Sequence, residues 1–244
     1  MDIVKITNGL SRRFKERIVY PRRVKNHSKI FCIGRNKTGT TSLKRAFSDL
    51  GFIIGNQRRA EWLLDDYIAG NFEPIIRYCR SAQVFQDFPF SYPETYKHLD
   101  EAYPGSKFIL SIRESAEHWY QSLTRFHAKR FGHGRLPTPE QLKAADYVYP
   151  GWMWKANRAV YQTPETDVYH QASLIKHYND HNDQVRDYFK GRDCLLVINL
   201  TESDAYRRFC HFIGVEPQRE AFPWENKTAN ISPWENSGSR PTTI

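Results

Sequence analysis

The sequence predicts a three-layer α/β fold, a parallel β-sheet covered by helices on both faces. Two observations predict it. Short apolar runs, long enough only for strands, alternate with segments of helical period. Such alternation is the mark of a parallel sheet buried between helices. In order, residues 29–33 (KIFCI) read as a first buried strand ending at Gly34. Residues 41–50 place Leu43, Ala46, Phe47 and Leu50 at helical spacing, and Gly51 closes that helix. Residues 52–54 read as a second strand. Residues 59–69 read as a helix with Trp62, Leu63 and Tyr67 on one face. Residues 82–85 (AQVF) form a third strand and 92–102 a helix. Lys107–Ile112 (KFILSI) is the clearest strand, and Ala116–Phe131 a long helix. Residues 132–151, rich in Gly, Pro and polar side chains, read as a loop or lid. Residues 152–161 and 168–189 are helical, 194–200 (CLLVINL) a last strand, and 204–213 a last helix with Asp204 near its cap.

The chain has 244 residues, 40% hydrophobic and 14% aromatic, so it holds a sizeable core and is not a disordered chain. Its apolar runs fall well short of the ~18 residues that span a bilayer. The first 25 residues lack the apolar centre of a secretory signal. Cys32, Cys79, Cys194 and Cys210 show neither C-x-x-C nor metal-ligand spacing, which points to reduced, buried thiols and a cytoplasmic location. Asn36-Lys37-Thr38 and Asn226-Lys227-Thr228 match glycosylation sequons, but a glycan at either would obstruct the site proposed below. The 36 basic and 27 acidic residues leave a net charge of +9 and suggest an anionic partner. Much of the excess lies in a basic extension, residues 1–28, including Arg12, Arg13, Arg17, Arg22 and Arg23. This arm reads as a solvated extension packed on the domain, with weak peripheral membrane contact as a further option. No nucleic-acid-binding motif accompanies the charge.

Ligands of such sheets bind where the strands end. After the first strand comes Gly34-Arg35-Asn36-Lys37-Thr38-Gly39-Thr40-Thr41-Ser42, which opens a helix. Backbone amides and a helix N-terminus cradle phosphate in this setting, and Thr38, Thr40, Thr41 and Ser42 add hydroxyls. The glycine spacing is that of the nucleotide-triphosphatase loop, a P-loop nucleotide-binding arrangement. The residue after Gly39 is Thr40, however, and the lysine lies inside the loop at Lys37. A cation there neutralises charge building on the loop's own phosphate. This stretch resembles the 5′-phosphosulfate loop, P-K-[ST]-G-T-T, of the sulfotransferases that use 3′-phosphoadenosine-5′-phosphosulfate (PAPS). Asn36 stands where that family has proline. The resemblance implies that Lys37 contacts the bridging oxygen and the 5′-phosphate, while Thr38, Gly39, Thr40 and Thr41 wrap that phosphate. The product would be adenosine 3′,5′-bisphosphate, with no metal required.

After Lys107–Ile112 comes Arg113, then Trp119-Tyr120-Gln121-Ser122. An Arg at a strand end with a Ser two helical turns on can hold a second phosphate. This resembles the family's 3′-phosphate site in a W-Y-x-S variant, although Ser122 comes nine residues after Arg113 rather than eight. Pro223-Trp224-Glu225-Asn226-Lys227 is a loose match to the segment that closes on the nucleotide, which implies Lys227 as a 3′-phosphate ligand. Residues 29–214 thus form the sulfotransferase-like domain, and the tail, 215–244, packs near the nucleotide.

Transfer to a hydroxyl or amine needs a base from a neighbouring strand end. Asp87, after the third strand, is in place. His118, His127 and His133 are alternatives; the first two read as surface or packing residues, and His133 as part of the lid. Tyr147, Tyr149, Trp152, Trp154, Tyr161 and Tyr169 suggest an aromatic wall for a small-molecule, glycan or lipid acceptor. Three rival readings are a P-loop kinase or nucleotidase, a non-catalytic protein binding anionic ligands on the same fold, and a basic membrane or nucleic-acid adaptor.

Overall fold

The computed structural model describes residues 14–223. Four parallel strands form one sheet: β1 (Ile30–Cys32), β2 (Val84–Gln86), β3 (Lys107–Ile112) and β4 (Leu195–Asn199), in the order β2–β1–β3–β4. Phe31 pairs with Phe85 on one side and Phe108 on the other, and its ring packs within 6 Å of both. The longer helices are α1 (Thr40–Asp49), α2 (Thr95–Ala102), α3 (Ala116–Phe131), α4 (Trp152–Val160), α5 (Gln171–Tyr188) and α6 (Ala205–Ile213).

Side chains alternate across a strand, and this sorts the core into layers. Ile30, Cys32, Ile109 and Ile198 face α1 and α6 through Leu43, Phe47, Tyr206 and Phe209. Phe31, Ile33, Phe108 and Leu110 face α2 and α5 through Leu99, Val185 and Phe189. A third cluster, around Trp119, Leu123, Trp152 and Tyr178, is built from residues that follow the strands.

Several elements differ from the sequence reading. Residues 52–54 are not a strand. Ile54 makes one isolated bridge to Val84 before Asn56 caps the next helix. Residues 59–69 break into Gln57–Ala60, a 3₁₀ turn over Glu61–Leu63, and Leu64–Ile68. A continuous helix would set Glu61 and Leu63 about 200° apart; the tighter turn buries both. The helix expected from residue 92 starts at Thr95, after Pro93 and a left-handed Glu94. Within 132–151 lies a short helix, Pro139–Ala144, opened by a Thr138/Gln141 capping box. Glu73–Tyr78 is a further helix that the sequence reading left out.

The described part of the basic extension packs on the domain. Val24 is buried, and Glu16 is bonded by Asn56 and faces Arg59. In the tail, Phe222 packs on Tyr206 and Phe209. Lys227 lies outside the described residues.

Candidate active site

The loop from Gly34 to Gly39 joins β1 to α1. Gly34 lies so close to β3 that a Cβ there would sit 2.3 Å from the carbonyl oxygen of Ser111. Backbone cannot yield as a flexible side chain can, so Gly34→Ala is expected to destabilise the fold by about 1–3 kcal/mol. An unchanged thermal or urea midpoint would show that the strands part easily here. Gly39 has φ of 98° and caps α1 without a side chain. The first-turn amides of any helix lack carbonyls four residues back, and they favour an anion.

The residues between the glycines are braced one by one. The Trp119 indole donates to the Asn36 carbonyl (2.9 Å), and the Tyr161 hydroxyl to the Asn36 side chain (3.3 Å). Arg113 Nε donates to the Lys37 carbonyl at 2.7 Å. The Thr38 hydroxyl donates to the Arg35 carbonyl (2.6 Å) and meets Ser111 Oγ at 2.7 Å. These bonds supply the stiffness that proline would give the loop at position 36. The Thr38 hydroxyl is therefore engaged within the protein, and Thr38 does not line the cavity.

That cavity, about 230 Å³, opens beside the loop. Its lining brings together Lys37, Gly39, Thr40, Thr41, Ser42, Asp87 and Arg113. Ser122 is buried on α3 and is not part of the lining. A larger open groove, lined by Tyr120, Leu136, Tyr169 and His170, contains none of the loop residues. Among the described residues, no three His, Cys, Asp or Glu side chains gather as a metal site.

Lys37 has φ of 70°, and its ammonium lies 3.8 Å from the centre of the Phe126 ring. Burial pulls its pKa down to about 8; Asp87 opposes the shift and Arg113 adds to it. The Arg113 amide donates to the Tyr178 hydroxyl at 2.8 Å, which fixes the end of β3. Asp87 follows β2 with φ of 61°, a left-handed conformation that Asp tolerates. Its carboxylate accepts from the Phe88 amide (3.0 Å), and its carbonyl from the Ser91 amide (2.9 Å). Burial raises its pKa; the Phe88 amide, Lys37 and Arg35 work against that rise.

Sequence reasoning missed two site residues. Arg35 is fully buried between the Tyr92 and Tyr161 rings, each just over 5 Å away. It donates through Nη1 to the Ser91 carbonyl, while Nε and Nη2 find no partner among the described residues. Arg35 thus ties the Gly34–Gly39 loop to the turn that presents Asp87, and nothing in a single polar loop residue signals such burial. Glu61 lines the cavity, accepting from the Tyr147 hydroxyl (3.0 Å) and pairing with Arg58 (3.1 Å). Burial raises its pKa to about 7, with Arg58 opposing. A helical reading of 59–69 turns Glu61 outward; the 3₁₀ turn is what brings it in.

The histidines separate clearly. His118 is exposed and pairs with Glu114, and His133 is exposed on the 132–151 segment. His127 is buried and lines the cavity; its Nδ1 meets the Tyr169 hydroxyl at 2.8 Å, and burial lowers its pKa to about 3. Tyr147, Trp152 and Tyr161 supply the aromatic wall. Tyr149 and Trp154 stand outside it, beside Lys155 and Lys143.

A family model described as "Sulfotransferase domain" matches residues 29–231, more than four fifths of the chain. The chain belongs to the sulfotransferase family. No curated protein matches it. Sulfuryl transfer is the chemistry of this domain, and the four-stranded parallel sheet with flanking helices agrees with it. The matched region contains the loop, Asp87, Arg113 and Glu61. Among the described residues, no helix of this sulfotransferase is long and apolar enough to cross a membrane.

Proposed function

We propose that this sulfotransferase moves a sulfuryl group from PAPS to a hydroxyl or amine of a small-molecule acceptor. One observation carries the reading: a single cavity holds a lysine inside the phosphate loop, an arginine from the next strand end, and a carboxylate from the strand on the other side. PAPS supplies the activated sulfuryl group. The start of α1, with Lys37 and the Thr40, Thr41 and Ser42 hydroxyls, receives the 5′-phosphosulfate. Arg113 keeps its Nη groups for the 3′-phosphate, the ligand to which the family resemblance also assigns Ser122 and Lys227. Asp87 takes the acceptor's proton as the acceptor oxygen bonds to sulfur. Lys37 neutralises the charge left on the 5′-phosphate when the old S–O bond breaks. Four unpaired thiols, three of them buried, support a reducing, cytoplasmic location. Exposed Phe14 and Ile18 beside Lys15, Arg22 and Arg23 support weak contact with an anionic membrane, which rising salt would abolish.

The test is calorimetric titration with adenosine 3′,5′-bisphosphate in EDTA, against ATP with Mg²⁺. Micromolar, metal-free bisphosphate binding is expected. Metal-dependent ATP binding without bisphosphate binding would sink the reading in favour of a kinase, and silence from both would point to another anionic ligand. Arg113→Ala is expected to weaken the bisphosphate about tenfold or more, and AMP, which feels only the loss of the Nε brace on the Lys37 carbonyl, by less. Equal weakening of both would place Arg113 away from the 3′-phosphate.

A further inference from the structure

The cavity is lined by two cations and two carboxylates. Its lining cations, Lys37 and Arg113, both stand at the phosphate loop, where the donor needs them. The lining carboxylates are Asp87, coupled to Lys37, and Glu61, which stands with Tyr147 and Trp152. Glu61 is held in place: Tyr147 donates to one carboxylate oxygen, Arg58 meets the other, and the Trp152 indole donates to its carbonyl at 2.9 Å. Arg58 itself is exposed and outside the lining. Aromatic faces are negative and favour cations or uncharged groups. Space is the second constraint: the cavity, about 230 Å³, must take the donor's reacting end as well as the acceptor.

We propose that the acceptor end of this cavity takes a ring-sized hydroxyl compound that is uncharged or carries an amine, and that Glu61 turns anionic acceptors away. The inference rests on the sulfuryl-transfer reading. Above about pH 7, where Glu61 is ionised, an acceptor carboxylate would lie against it and the aromatic faces with no lining cation left to meet it. Like charges placed against each other disfavour binding. An ammonium would instead have a carboxylate and aromatic rings to receive it.

The probes are three para-substituted phenols of similar size: 4-ethylphenol, tyramine and 4-hydroxyphenylacetate, each with PAPS at a pH above 7, where Glu61 is ionised, followed by the sulfated product. The first two are expected to be sulfated, with kcat/KM for the third about 100-fold lower. Glu61→Gln keeps an acceptor for the Tyr147 hydroxyl but removes the charge. It is expected to narrow the gap between 4-ethylphenol and 4-hydroxyphenylacetate about tenfold. A merely structural Glu61 would change all three rates together and leave the ratio alone. Equal use of the anionic and neutral phenols by the wild-type protein would overturn the proposal, even if the variant failed to fold. So would a ratio unmoved in folded Glu61→Gln. Bisphosphate binding with none of the phenols sulfated would overturn the acceptor class while leaving sulfuryl transfer standing. Absence of bisphosphate binding would remove the reading beneath it.

Discussion

Lys37→Ala is expected to lower kcat about 10²–10³-fold while adenosine 3′,5′-bisphosphate still binds. The loop does not depend on the lysine side chain for its shape. Its braces run through the Asn36 carbonyl and side chain, the Lys37 carbonyl and the Thr38 hydroxyl. The ammonium touches the Phe126 ring and faces the cavity, so its loss removes charge and little architecture. A group that acts mainly in the transition state shows this split between rate and affinity. Burial sets the pKa of Lys37 near 8, and the lysine must be charged to act. The charge is present below that value, so kcat/KM is expected to fall as pH rises through about 8. Lys37→Arg should move that alkaline limb upward, because a guanidinium stays protonated there. Single-turnover rates with calorimetry decide the matter; a kcat within a few-fold of wild type would remove Lys37 from the chemistry.

The positions that carry the fold could be read where local signals and tertiary packing agree. Lys107–Ile112 and Ala116–Phe131 match their expected limits, because a buried apolar run and a Ser115-capped helix each declare themselves locally. The loop between the first strand and its helix is legible for the same reason: two glycines, a lysine and hydroxyls stand between the two elements. Residues 52–54 failed because the chain turns away from the sheet edge after one bridge, Ile54 to Val84, and Asn56 at once caps the next helix. Glu61 and Arg35 were hidden for a different reason. Their burial depends on partners far along the chain, Tyr147 and Trp152 for one, Ser91, Tyr92 and Tyr161 for the other. No local period encodes such contacts. The Thr138/Gln141 capping box was present in the sequence, but the helix it opens is too short to show an apolar period.

Asp87→Asn tests the proton acceptor with little structural disturbance. Asparagine has the same shape, tolerates the left-handed backbone, and keeps an oxygen for the Phe88 amide. The Ser91 bond to the Asp87 carbonyl and the Arg35 bond to Ser91 involve no side-chain atom of Asp87. The turn should therefore stand while the base is lost, and kcat is expected to fall about 10²–10⁴-fold. The pH profile carries the sign. Asp87 must be deprotonated to accept a proton, so activity falls as pH drops through its pKa. Burial raises that pKa, which places the acid limb above the usual aspartate range. Asp87→Asn should remove this limb along with the rate. The other candidates would leave different marks. His127 is tied to Tyr169 and its pKa is pulled to about 3, far below the range in which it could serve as an efficient base. Glu61, raised to about 7, would give an acid limb near neutrality. An undiminished rate in Asp87→Asn, with a limb near 7 that Glu61→Gln abolishes, would pass the proton-accepting role from Asp87 to Glu61.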